Sequence, residues 1–291
     1  MEEPDARSLE HRLESWLARA GRSGATLVPL AGDLSARRYF RVRSMGGQTH
    51  IAACYPEQLR DAQRRFVRAA GLLARASVRV PAIELDDPGA GFALLEDLGD
   101  CTLYELPGLD ESARARYLAT ALEVGRRIAA LAESEVVALG SPPLDRTLLA
   151  RELEPAIRHL LAPRGLAPPG FVAALEELCA RLAGDALVPC HRDFMVRNLM
   201  PMSAAQVAVL DFQDLRLGPP AYDLASLLND SWFAPSGLER ELVGRFLPRG
   251  VAEGQYRRAV VQRALKAVGS FTACAARGDA RRLPLVGPTL E

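Results

Sequence analysis

Apolar side chains recur every three to four residues at Leu9, Leu13, Trp16 and Leu17, which predicts an amphipathic helix over Ser8–Ala20 that stops at Gly21. The period then changes. Ala25–Leu30 reads as a strand, Arg37–Arg43 alternates with Phe40 and Val42 on one face, and Thr49–Tyr55 gives a third strand after the Gly46-Gly47 turn. Between the first two strands lies Ala31-Gly32-Asp33-Leu34-Ser35-Ala36, made mostly of small residues. Helical spacing returns over Glu57–Ala76 at Leu59, Ala62, Phe66, Ala69, Leu72 and Leu73, while Arg60, Arg64, Arg65 and Arg68 form a solvated opposite face. Val80–Leu85 and Gly91–Leu95 flank an Asp-Asp-Pro-Gly turn as two more strands. Beyond Gly99 the pattern is helical over Asp110–Glu133, Leu144–Leu160, Pro169–Leu182, Tyr222–Leu228, Leu238–Phe246 and Glu253–Ala276. Two short apolar strands interrupt it, Leu187–Cys190 and Val207–Leu210, and Arg277–Glu291, with two prolines, is expected to be irregular.

These elements predict an α+β chain in two parts. Residues 1–98 form a small lobe of five antiparallel strands with one helix, and residues 99–291 form a larger, mainly helical lobe.

Composition narrows the function classes. The 291 residues are 49% hydrophobic and 25% charged with a formal net charge of zero, an ordinary globular balance that implies neither a nucleic-acid nor an anionic-membrane partner. No apolar run is long enough to span a bilayer, and Met1–Glu14 lacks a signal-peptide pattern, so a cytoplasmic location is expected. The five cysteines are scattered, odd in number and without a C-x-x-C pair, which predicts reduced thiols and no metal site built on them. Lys266 is the only lysine of the chain.

Two stretches carry chemistry. His191-Arg192-Asp193-Phe194-Met195-Val196-Arg197-Asn198 has the H-R-D-x-x-x-x-N spacing of a phosphotransferase catalytic loop, and Asp211 follows at the end of a short apolar strand. Phosphoryl transfer needs a carboxylate to orient the attacking hydroxyl and take its proton, which fits Asp193. It also needs oxygen ligands for the Mg²⁺ that neutralises the β- and γ-phosphates, which fits Asn198 and Asp211. Aspartates at turns commonly cap backbone donors, but that role does not explain the order and spacing of these three. Asp223, at the start of the Tyr222–Leu228 helix, has two structural roles open to it: capping that helix, or bonding back to the catalytic loop. The small-residue stretch 31–36 fits either a lid whose backbone approaches phosphates or an ordinary connection between strands.

With both lobes and both motifs in place, the chain resembles the aminoglycoside phosphotransferase and choline kinase superfamily, a branch of the protein-kinase-like fold. Asp33–Arg41, Gly91–Gly99, His191–Pro201 and Val209–Leu228 look most like its bacterial cell-wall amino-sugar kinases. The resemblance implies ATP and Mg²⁺ as cofactors and phosphorylation of the anomeric hydroxyl of N-acetylmuramate or N-acetylglucosamine. It implies Asp193 as the catalytic base with Asn198 and Asp211 on the metal. Glu96, Asp97 and Leu98 would present backbone groups to adenine, and Asp33, Ser35, Arg37 and Arg38 would lie over the triphosphate. Asp214 would meet a sugar hydroxyl. Arg197 could pair with a phosphate or a substrate carboxylate, or bond to the protein itself.

One departure stands out. The third strand has no lysine where broader kinases grip the α- and β-phosphates, and Arg37 or Arg38 is the expected replacement. Competing expectations are a kinase of another small acceptor (an aminoglycoside, an amino alcohol or another sugar) and a nucleotide-binding protein without turnover. Overall neutrality argues against a polycationic acceptor, and the presence of all three catalytic oxygens argues against loss of turnover.

Overall fold

The computed structural model describes residues 3–30, 36–184, 186–203, 206–229 and 232–290. Its chain divides into two compact units, Met1–Ala74 with Val80–Gly99, and Arg75–Arg79 with Asp100–Glu291.

The first unit is an antiparallel sheet of β1 (Thr26–Leu30), β2 (Arg38–Arg43), β3 (Thr49–Cys54), β4 (Ile83–Asp87) and β5 (Phe92–Glu96), in the order β1-β2-β3-β5-β4. The register sets Phe40 opposite Ala52, Ala52 opposite Leu94 and Cys54 opposite Phe92. With alternate residues sharing a face, these form one apolar surface. Helix α1 (Glu3–Arg19) covers it with Leu13, Trp16 and Leu17, and the Trp16 indole N–H donates to Asp87 Oδ2 at 3.0 Å. The second helix, α2 (Arg60–Arg75), buries Phe66, Ala69, Leu72 and Leu73. Strand β4 begins at Ile83 rather than at Val80, because Pro81 has no N–H to give to a ladder.

The second unit is built on α3 (Glu111–Ala129), α4 (Glu133–Val137), α5 (Arg146–Arg151), α6 (Glu154–Ala156), α7 (Pro169–Leu182), α8 (Tyr222–Leu228), α9 (Ser236–Phe246), α10 (Glu253–Ala276) and α11 (Val286–Leu290). Asp110 caps α3 by accepting the Ala113 N–H, and Asp145 caps α5 by accepting that of Leu148. The single helix expected over Leu144–Leu160 is instead broken. A helix running through Pro155 would lose a hydrogen bond and clash with the carbonyl of Arg151, so α5 ends there and the chain restarts as α6 and one π turn, Ile157–Leu161. The tail is not irregular: Leu283–Leu285 and α11 are helical, since prolines in a first turn forfeit only N–H groups that have no helical partner anyway.

Two small antiparallel strand pairs hold the motif region. β6 (Val188–Cys190) pairs with β9 (Arg216–Gly218), and β7 (Leu199–Ser203) pairs with β8 (Gln206–Val209), both antiparallel. All five cysteines are free, and Cys101 alone is more than marginally exposed.

Helix α10 approaches α6 closely because residue 269 is glycine. A Cβ there would lie 2.6 Å from the backbone nitrogen of Ala156 and 3.1 Å from its Cα, against atoms that cannot swing aside. Alanine in place of a mid-helix glycine normally stabilises by roughly 0.5–1 kcal/mol. Overpacking costs about 1–3 kcal/mol, so the steric effect wins here. Gly269→Ala is expected to lower the thermal midpoint by about 2–6 °C. A midpoint that rises would show that the two helices separate without cost.

Candidate active site

The loop 191–198 is suspended between two antiparallel strand pairs. It leaves β6 at Cys190 and enters β7 at Leu199, while the Leu210 N–H closes onto the Asn198 carbonyl at 2.9 Å beside the Leu199–Val209 rung. That pairing sets Asn198 and Asp211 at the same open end of the β7–β8 ladder. Asp211 takes left-handed backbone angles, φ 58° and ψ 36°, and Arg192 has φ 77°. Among the described residues only Ser77 otherwise has positive φ without being glycine. Each such residue costs about 1–3 kcal/mol, and such strain collects where a side chain must be aimed.

Asp223 decides between its two expected roles in favour of the loop. Helix α8 has Ala221 at its N-cap with no side-chain cap bond. The Asp223 carboxylate instead accepts the His191 N–H on Oδ2 at 2.6 Å and the Arg192 N–H on Oδ1 at 3.0 Å. Burial pushes this carboxyl above its ordinary pKa, with the His191 ring and the two backbone donors pulling the other way. The fully buried His191 ring places Nε2 2.9 Å from the Leu210 carbonyl, which can only accept, so Nε2 carries the proton. The loop is thereby tied to α8 at one side and to the end of β8 at the other.

Asp193 sits among cations. Its Oδ1 accepts from Arg263 Nη1 at 2.9 Å and from Lys266 Nζ at 2.8 Å, both on α10, and its Oδ2 lies 3.8 Å from Arg192 Nη1. Its side chain keeps 23% of its surface exposed, so a ligand can reach it. Burial raises its pKa, but Lys266, Arg263 and Arg192 outweigh that and hold the carboxyl well below the usual carboxylate range. The Asn198 amide donates to the Asp193 carbonyl at 2.8 Å, which fixes the amide plane and leaves its oxygen as the acceptor end.

A second carboxylate gathers the same cations. Glu152, at the C-terminus of α5, accepts from Arg192 Nε and Nη2 at 3.0 and 2.7 Å and lies 3.5 Å from Lys266 Nζ. Tyr222 Oη and Gln262 Nε2 donate to its other oxygen, each at 3.3 Å. Burial raises the Glu152 pKa, yet Lys266 and Arg192 more than reverse it and the net shift is downward. A carboxyl depressed on folding stabilises the protein above its unfolded pKa, and that stability is lost as pH falls through the lower folded value. Glu152→Gln is therefore expected to narrow the difference in stability between pH 6 and pH 3. Urea titrations at the two pH values followed by circular dichroism would check it; an unchanged difference would mean that other carboxylates govern acid unfolding.

The remaining expected residues divide. Asp214 is engaged by two arginines. Its Oδ2 accepts from Arg192 at 2.9 Å and its Oδ1 from Arg216 at 3.0 Å, although a third of its side chain is exposed. Arg197 lays its guanidinium 3.5 Å from the Tyr104 ring centroid, a stacked contact within the protein. In the first unit Asp33 and Ser35 lie outside the described residues. Arg37 is over the Tyr39 ring at 5.8 Å, and Arg38 opens β2 with an exposed side chain. Glu96 accepts the Ala82 N–H at 3.0 Å. Asp97 pairs with Arg41 Nε at 2.7 Å and accepts the Gly99 N–H, and although burial raises its pKa, those bonds lower it on balance. The side chains of 96 and 97 are thus engaged within their own unit. Leu98 follows them directly in the chain.

Among the described residues no three His, Cys, Asp or Glu side chains are grouped to hold a metal. The Asn198 amide oxygen and the Asp211 carboxylate form a smaller set of hard oxygen donors. That fits Mg²⁺, which takes one or two protein ligands and completes its shell with phosphates and water. Asp211 is itself oriented by Gln213, which donates to Oδ1 at 2.8 Å.

Comparison with known proteins bears on this arrangement. The model of the phosphotransferase enzyme family matches residues 26–272. An N-acetylmuramate/N-acetylglucosamine kinase of Pseudomonas aeruginosa is 36% identical over 225 residues, covering 72% of this chain and 62% of that protein. One of Pseudomonas putida with the same description is 31% identical over 265 residues, covering 84% and 76%. The chain therefore spans less than two thirds of the first of these relatives. Among solved structures, the choline kinase of Streptococcus pneumoniae superposes with a TM-score of 0.69 at 14% identity, covering 97% of this chain and 99% of that one. An ADP-bound aminoglycoside phosphotransferase gives 0.67 at 15% identity, covering 96% and 95%. At such identities the likeness establishes the fold, the α+β architecture expected above.

Proposed function

The chain belongs to the phosphotransferase enzyme family, and on that premise we propose that it transfers the γ-phosphoryl group of ATP to the anomeric hydroxyl of N-acetylmuramate or N-acetylglucosamine. The observation that carries this reading is Asp193, ionised, partly exposed and braced by α10 on a loop of phosphotransferase spacing. The acceptor comes from the two Pseudomonas relatives, whose descriptions name these sugars. Asp193 orients the acceptor hydroxyl and takes its proton as the new O–P bond forms and the bond from Pγ to the bridging oxygen breaks, releasing ADP. When bound, Mg²⁺ neutralises the phosphate charge. Asn198 and Asp211 would hold it, and their position at one hairpin mouth suits that task.

The first unit takes the nucleotide, with the linker 96–98 offering its backbone to adenine and Arg37 or Arg38 standing in for the absent lysine of β3. The second unit carries the acceptor and the chemistry. Contacts around Asp193 join four cations (Arg192, Arg216, Arg263, Lys266) to three carboxylates (Glu152, Asp193, Asp214), a balance suited to a neutral or anionic acceptor rather than a polycationic one. No described helix is long and apolar enough to cross a membrane, and a cytoplasmic setting fits the need for ATP.

The test is ADP release from Mg²⁺-ATP with N-acetylmuramate, N-acetylglucosamine, glucose, choline and kanamycin. Turnover confined to the two N-acetyl sugars, with an acid-labile product phosphate, is expected. Turnover on choline or kanamycin instead would retain the chemistry and overturn the acceptor.

A further inference from the structure

Lysine and arginine together number thirty-six, all but one of them arginine, and the one lysine touches the proposed base. Lys266 and Arg263 lie three residues apart on one face of α10, and both reach Asp193 Oδ1. Their surroundings differ. Arg263 also donates to the Arg192 carbonyl at 3.1 Å and packs 5.4 Å from the Tyr222 ring, so it is fixed whether or not Asp193 is present. Lys266 Nζ lies against two carboxylates, Asp193 Oδ1 and Glu152 Oε1. Glu152 is held in turn by Arg192, Tyr222 and Gln262. The ammonium is therefore a bridge from a rigid carboxylate to the reactive one.

We propose that Lys266 is a positioning residue for phosphoryl transfer, locking the rotation of the Asp193 carboxylate through Oδ1 so that Oδ2 is presented to the acceptor hydroxyl. This rests on the function proposed above. Arg263 alone leaves the carboxylate free to turn about one bond; a second donor from the same helix face removes that freedom.

Misplacement of a reacting group by about 1 Å can cost on the order of 10²-fold in rate. In the full-length protein, Lys266→Met is expected to lower kcat by about 30–100-fold with the KM for ATP unchanged, and Lys266→Arg to recover most of the loss. Unchanged kcat in Lys266→Met, a loss that falls on the KM for ATP, or a Lys266→Arg variant as slow as Lys266→Met would each overturn the proposal. A second measurement does not depend on the acceptor. Protein labelled with ¹⁵N-lysine has a single side-chain amine resonance, which Asp193→Asn should shift; an unmoved resonance overturns the contact on which the proposal stands. If the wild type turns over no sugar, the proposed function fails, and the amine resonance alone then decides for or against Lys266.

Discussion

Asp193→Asn is expected to cut kcat by about 10³-fold while Mg²⁺-ATP still binds. General base catalysis contributes on the order of 10²–10⁴-fold, and the amide can neither take the proton nor orient the hydroxyl as a carboxylate does. The substitution is close to isosteric, so the loop need not move. Its carbonyl oxygen can still accept from Arg263 and Lys266, although three cations then face one fewer negative charge. The substitution alters none of the groups proposed to hold the nucleotide and its metal, which is why the ATP affinity is expected to hold. Turnover kinetics beside calorimetric titration with Mg²⁺-ATP would separate the two effects. Near wild-type turnover would remove Asp193 from the mechanism, and loss of ATP binding would give it a different role.

The second large effect is expected from Asp223→Ala. It removes the acceptor of two loop N–H groups, His191 and Arg192, in a buried setting. An unsatisfied buried donor costs about 1–3 kcal/mol, so the pair amounts to roughly 2–6 kcal/mol. A smaller contribution has the opposite sign. Burial raises the Asp223 pKa, and a carboxyl raised on folding costs stability at every pH above its unfolded value, a cost that alanine relieves. The loss of the hydrogen bonds outweighs that relief, because the same two donors and the His191 ring already offset part of what burial does to the carboxylate. The variant should show a lower thermal midpoint and at least a 10²-fold lower kcat, since the loop that aims Asp193 loses its anchor. A stable, active variant would mean that the His191 bond to Leu210 holds the loop by itself.

What the sequence made legible was local. The eight-residue loop with Asp193, the strand leading to Asp211 and the helices Pro169–Leu182, Tyr222–Leu228 and Glu253–Ala276 follow from spacing and periodicity, and the structure has them at those places. Two strands were missed, each for its own reason. β9 has three residues, and β7 contains Pro201, which argues against a ladder in any reading by composition. The cations on Asp193 were missed for another reason. Glu152 precedes it by about forty residues, and Arg263 and Lys266 follow it by about seventy, so only the packing of α5 and α10 around the loop brings them together. The i, i+3 spacing of Arg263 and Lys266 and the uniqueness of the lysine were available signals, but neither names a partner. Asp214 shows the same blindness from the other side. A position read for a sugar hydroxyl is also engaged by two arginines, because nothing in the local sequence reveals Arg192 folding back toward it.

A chain with one lysine beside its proposed base has a chemical consequence at the bench. Amine-reactive tags, surface coupling through ε-amines, reductive methylation and formaldehyde fixation ordinarily spread over many harmless surface positions. Here they find a single side-chain amine, and it lies 2.8 Å from the carboxylate proposed to drive catalysis. Reagents small enough to reach it are expected to inactivate the protein, bound Mg²⁺-ATP and acceptor should protect against them, and immobilisation of this protein is better routed through an added tag.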